Sequence, residues 1–178
     1  MKGNICLIGY MGSGKTTLGK MLAQELDKTF EDTDALIVDK EKRSIPEIFE
    51  KEGEQYFRNL ETETLRAIIG ALDKDKALKT KGIILSTGGG IVVNEKNHGL
   101  LRQLGTVIYL KAGADTLYRR VGRDENRPLL KTEDVYKRIV EMLKIREPIY
   151  EKAADIIIET DDQSPVDTIK NIIEVVAL

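Results

Sequence analysis

Short, wholly apolar runs separated by longer amphipathic stretches organise this chain. Asn4 to Ile8, Ile83 to Leu85, Val107 to Leu110 and Ile156 to Ile158 are bounded by polar or turn-forming residues and read as strands buried on both faces. Thr29 to Glu31 predicts a further short strand. Between these runs the apolar residues recur at helical spacing. Gly14 to Leu26 places Leu18, Met21, Leu22 and Leu26 on one face, and Val166 to Val176 repeats the pattern near the end. Alternating strands and helices predict an α/β fold of three layers, α/β/α, around a central parallel five-stranded sheet. Ligands are expected beyond the C-terminal ends of the strands. The whole of 1–178 reads as one domain with three interruptions. These are a mostly helical excursion over about 35–72, a solvated connection from Asp73 to Gly82, and an arginine-bearing loop over 122–132.

The first strand runs into Gly9-Tyr10-Met11-Gly12-Ser13-Gly14-Lys15-Thr16, which fits G-x-x-x-x-G-K-[ST] with a strand before it and a helix after it. Glycines let such a loop turn sharply and aim successive N–H groups at one anion, and the helix N-terminus adds partial positive charge. Gly12, Ser13, Gly14, Lys15, Thr16 and Thr17 therefore form the expected ATP-phosphate set. Lys15 reaches for the β/γ-phosphates and the Thr16 hydroxyl for Mg²⁺. In the variable positions, Tyr10 and Met11 suit either an acceptor pocket or core packing. The loop over 122–132 carries Arg123 and Arg127 and is a candidate lid that closes over phosphates and expels water.

Composition narrows the partners. A length of 178 residues suits one real core, and no apolar stretch is long enough for a membrane span. The strand and phosphate loop begin within a few residues of Met1, so a signal peptide is not expected and a cytoplasmic location is. A net charge of −2 offers no general attraction for nucleic acid or anionic lipid, so useful positive charge has to be concentrated locally. Cys6, the only cysteine, falls inside the first strand and reads as a buried structural thiol. His98, the only histidine, has no ligand-spaced partners and is expected to be solvated on a surface helix.

Further segments carry a resemblance. Asp32-Thr33-Asp34, Phe57-Arg58 with Glu61, Thr87-Gly88-Gly89-Gly90, Arg127-Pro128-Leu129-Leu130 and Arg146-Glu147-Pro148-Ile149-Tyr150 stand in matching order and spacing. With the phosphate loop, they make the chain resemble shikimate kinase, within the nucleoside-monophosphate-kinase-like branch of phosphate-loop enzymes, over nearly its full length. The resemblance implies Mg²⁺-dependent transfer of the ATP γ-phosphate to the 3-hydroxyl of shikimate, in a monomer. It implies that Asp32 serves the metal with Thr16, and that Asp34 hydrogen-bonds the attacking hydroxyl. Two carboxylates two apart in extended chain would lean the same way, although either also suits capping a helix from Ala35. Arg58 and Arg146 are implied as the planar cations for the acceptor carboxylate, with Glu61 fixing the Arg58 fork. Gly88, Gly89 and Gly90 are implied to approach the acceptor hydroxyls. Arg127 is implied to neutralise the transferring phosphoryl group and Arg120 to stack on adenine, where the Asp161 to Pro165 turn closes the pocket by backbone contacts. Lys15, Asp34 and Arg127 are thus the expected catalytic set. A kinase for a related acid such as gluconate, and a nucleotide-dependent switch without acceptor chemistry, are the alternative readings.

Overall fold

The computed structural model describes residues 3–121 and 134–177. Its strands, β1 Ile5–Ile8, β2 Thr29–Asp32, β3 Ile83–Ser86, β4 Thr106–Lys111 and β5 Ile156–Glu159, pair in parallel in the order β2-β3-β1-β4-β5. Helices α1 Lys15–Glu25, α2 Thr33–Glu41, α3 Ile45–Lys74, α4 Lys76–Lys81, α5 Lys96–Leu104, α6 Ala114–Val121, α7 Val135–Ala153 and α8 Pro165–Ala177 connect and cover them. The period-two side-chain alternation of β1 divides the core. Ile5 and Leu7 pack with Leu18 and Leu22 of α1 and Ile169 and Ile172 of α8 on one face. Cys6 and Ile8 pack with Leu65 of α3, Leu101 of α5 and Tyr150 of α7 on the other. This is the expected three-layer α/β/α arrangement. Cys6 is fully buried, and that burial pushes its thiol up to about 12, which suits packing rather than reactivity.

Register builds the functional edge. Leu7 pairs with Ser86 and Asp32 pairs with the same Ser86, so the central strands end side by side where the phosphate loop begins. A smaller apolar cluster of Ile37, Ile48, Phe57 and Leu60 holds α2 against α3 and carries the excursion seen in the sequence. A Ser44–Glu47 capping box opens α3, and Gly53, at φ 81°, breaks it into two helical segments.

Two expectations need correction, and a third gains detail. Asp73 to Gly82 is the solvated connection expected, and it carries a short helix of its own. The helix α3 runs to Lys74, and Asp75 then accepts from the Ala77 and Leu78 amides at 2.9 and 3.0 Å to start α4, which buries no residue. Helix α2 starts at Thr33 with Asp32 as its cap, so Asp34 lies in a first helical turn rather than in extended chain. His98 is only 6% exposed and its Nε2 meets the Val92 carbonyl at 2.7 Å, because α5 packs over the 3₁₀ turn Ile91–Val93. The lid expected over 122–132, with Arg123 and Arg127, lies outside the described residues.

Candidate active site

Backbone geometry shapes the phosphate loop. Gly12 and Gly14 hold φ of 80° and 97°, a region L side chains rarely adopt, so the turn into α1 requires glycine there. No side chain caps α1, which leaves its first N–H groups directed at the site. Lys15, 8% exposed, folds back so that Nζ donates to the Gly9 and Tyr10 carbonyls at 2.8 and 2.9 Å. A cavity of about 460 Å³ opens over this loop, with Thr17, Arg120, Gln163 and Pro165 among its lining. The Arg120 guanidinium donates to the Thr160 carbonyl at 3.1 Å, while Arg119 turns toward Thr116 and Asp162. Of the two adjacent arginines, then, Arg120 faces the cavity, beside the turn expected to close it.

The strand ends gather oxygen donors at the rim of the same cavity. Thr16 Oγ1 donates to Asp32 Oδ2 at 3.1 Å and lies 3.3 Å from Ser86 Oγ. The other Asp32 oxygen accepts from the Asp34 and Ala35 amides at 3.0 and 3.3 Å. Asp32 thus caps α2 with one oxygen while the other faces the loop hydroxyl. A hydroxyl and a carboxylate beside a phosphate cradle form an all-oxygen set that fits Mg²⁺, which keeps several waters and takes few protein ligands. Among the described residues no group of three or more His, Cys, Asp or Glu side chains offers a dedicated metal cage.

A second cavity, of about 380 Å³, lies between α2, α3 and the Gly88–Gly90 loop. Arg58 is pinned in it: Nη1 donates to Glu61 at 2.7 Å, and Nε and Nη2 donate to Glu54 at 3.2 and 3.0 Å. Glu61 is fully buried, and its second oxygen has no hydrogen-bond partner among the described residues. Burial outweighs the attraction of Arg58 and pushes Glu61 up to about 7. The Arg58 charge, opposed by its own burial, is held by Glu61 and Glu54. With Glu61 partly protonated near neutrality, less of the Arg58 and Arg146 charge is cancelled from within the cavity. Close approach accounts for two glycines. A Cβ on Gly88 would stand 2.5 Å from Asp34 Oδ1 and 3.1 Å from Glu61 Oε1, and one on Gly90 would collide with the Arg58 guanidinium.

Asp34, Met11 and Gly89 border both cavities. Asp34 therefore sits at the junction of the two cavities. Tyr10 and Met11 divide the two roles left open for them: Tyr10 is buried in the core, and Met11 faces the site. Of the expected residues the described fold brings together Lys15, Thr16, Asp32, Asp34, Arg58, Gly88–Gly90, Arg120 and Arg146. Arg127 lies outside the described residues. Pattern reading missed Thr33, whose hydroxyl accepts from the Gly88 amide at 2.9 Å, and the tilted Phe49–Phe57 pair that walls the second cavity. The Thr between two aspartates and the two aromatics flanking a polar segment were the only signals, and both also suit ordinary packing.

Comparison with known proteins places the chain in a family. The family model described as shikimate kinase matches residues 11–177. A protein of Nitrosospira multiformis named shikimate kinase is 46% identical over 163 residues, 92% of this chain and 79% of its own. A solved structure of shikimate kinase from Acinetobacter baumannii in complex with shikimate superposes with a TM-score of 0.88 at 38% identity, covering 98% of this chain and 93% of that one. Shikimate kinase from Aquifex aeolicus gives 0.77 at 32% identity, covering 98% and 96%.

Proposed function

This chain belongs to the shikimate kinase family, and from that premise we infer how its two joined cavities transfer the ATP γ-phosphate to the 3-hydroxyl of shikimate. The chain is an ATP-dependent shikimate kinase. The observation that carries the residue assignments is the position of Asp34 on the border shared by the two cavities.

Nucleotide phosphates lie on the amides of the loop and the α1 N-terminus, and Lys15 leaves its loop carbonyls to meet them. Arg120 faces the nucleotide. Arg58 and Arg146 take the shikimate carboxylate in planar, paired hydrogen bonds, which turns the ring toward Gly88–Gly90 and Asp34. Asp34 orients the hydroxyl. The hydroxyl oxygen bonds to the γ-phosphorus as the bond from that phosphorus to the β,γ-bridging oxygen breaks. ADP leaves with the bridging oxygen, and the hydroxyl proton passes late to Asp34. Thr16 and Asp32 would hold Mg²⁺, which when bound neutralises charge on the β- and γ-phosphates. We assign Arg127 the transferring phosphoryl group on the family motif alone.

A biosynthetic kinase drawing on ATP supports a cytoplasmic location. ADP release measured with shikimate, gluconate and nucleoside monophosphates tests the acceptor. Turnover is expected with shikimate alone. Phosphorylation of another acceptor with none of shikimate overturns the reading, and slow ATP hydrolysis without acceptor turnover points instead to a switch.

A further inference from the structure

Tyr150 belongs to none of the roles above, yet it is fully buried beside the acceptor cavity. It lies four residues after Arg146 on α7, so the two side chains share one helix face. Its hydroxyl donates to the Gly89 carbonyl at 2.5 Å. The Arg146 charge, one helical turn back, works against the rise that burial gives the Tyr150 phenol, so guanidinium and phenol are neighbours. With the phenolic proton committed to Gly89, the only hydrogen bond open between the two runs from an Arg146 N–H to the Tyr150 oxygen. Gly89 in turn packs against the phosphate loop, where a Cβ on it would stand 3.3 Å from the Met11 amide and 3.5 Å from the Gly9 oxygen. That Gly9 oxygen is one of the two that hold Lys15. The Tyr150 ring itself is fixed by stacking on Tyr109, with centroids 4.9 Å apart and planes at 21°.

We propose that Tyr150 is a positioning residue for the acceptor, its hydroxyl setting both the fork of Arg146 and the height of the Gly88–Gly90 loop against the phosphate loop. This rests on the reading of Arg146 as an acceptor cation. Removing the hydroxyl leaves the ring, the stack and the packing in place, and frees a buried carbonyl and a guanidinium to drift. The cost falls on shikimate binding rather than on ATP binding or the phosphoryl step.

The test compares Tyr150→Phe, Tyr109→Phe and Arg146→Ala by steady-state kinetics, titration calorimetry with shikimate, and thermal melting. Tyr109 is the matched control, because its hydroxyl is also buried but has no hydrogen-bond partner among the described residues. Tyr150→Phe is expected to raise the shikimate KM and Kd about five- to tenfold, as loss of one buried hydrogen bond does. The ATP KM is expected to stay within about twofold. Tyr109→Phe is expected to leave both KM values unchanged. Arg146→Ala is expected to weaken shikimate more than Tyr150→Phe does. If Arg146→Ala weakens shikimate but Tyr150→Phe only lowers the melting temperature, Tyr150 is structural and the inference falls alone. If Arg146→Ala leaves shikimate binding intact, the acceptor assignment falls and the inference with it. A rise in ATP KM equal to that for shikimate in Tyr150→Phe also overturns it.

Discussion

At the scale of single residues, Glu61 decides how the acceptor cavity responds to pH. Its folded value of about 7 stands above the ordinary 4.5, so between those values the folded protein holds a proton that the unfolded chain has released. The stabilising contribution is fully present below about pH 4.5 and is lost as pH rises through about 7. Wild type measured against Glu61→Gln should therefore lose relative melting temperature from pH 5 to pH 8, and a flat or rising difference would contradict the burial argument. The roles proposed for Lys15 and Asp34 act on the reaction rather than on folding. Lys15→Ala or Asp34→Asn should lower kcat by at least ~10² with an unchanged circular dichroism spectrum. Retention of wild-type kcat in either variant would remove that residue from the chemistry. For Arg58→Ala the expected sign is a raised shikimate KM with near-normal ATP affinity. The reverse pattern would move Arg58 to the nucleotide side.

At the scale of elements, the start of α2 does two jobs with one carboxylate. Asp32 caps the helix through one oxygen and faces Thr16 through the other, so capping leaves an oxygen for the metal service proposed for it. Asp32→Ser retains an acceptor for the α2 amides but removes the second oxygen. It should keep stability close to wild type while raising the Mg²⁺ concentration needed for half-maximal rate, whereas Asp32→Ala should also lose about 1 kcal/mol of stability. Equal Mg²⁺ requirements in Asp32→Ser and wild type would leave capping as the only role. The α3 excursion shows the same economy: its apolar cluster with α2 supports the turn that presents Arg58 and Glu61.

At the scale of the whole molecule, the two cavities meet but do not coincide, so both ligands should bind together. ADP with Mg²⁺ and shikimate, each at about 100 times its Kd, should each stabilise by ~2.7 kcal/mol, and the pair should raise the melting temperature beyond either alone. A joint shift no larger than the greater single shift would mean that they compete for one space. The five strands, the flanking helices and the phosphate loop were legible along the chain, because short apolar runs, helical spacing and glycines at obligatory left-handed positions are local signals. The acceptor site was legible only through family resemblance, since Arg58 and Glu61 taken alone read as an exposed ion pair three apart on a helix. Only the tertiary structure buried that pair, set Arg146 from α7 in the same cavity, placed Asp34 in a helical turn at the junction, buried His98, and drew Tyr150 onto the glycine loop. Burial of a polar group and the meeting of charges depend on which distant elements pack together. Nearest-neighbour pattern carries periodicity and turn chemistry, but long-range packing sets desolvation and charge contact, and with them the site's electrostatics.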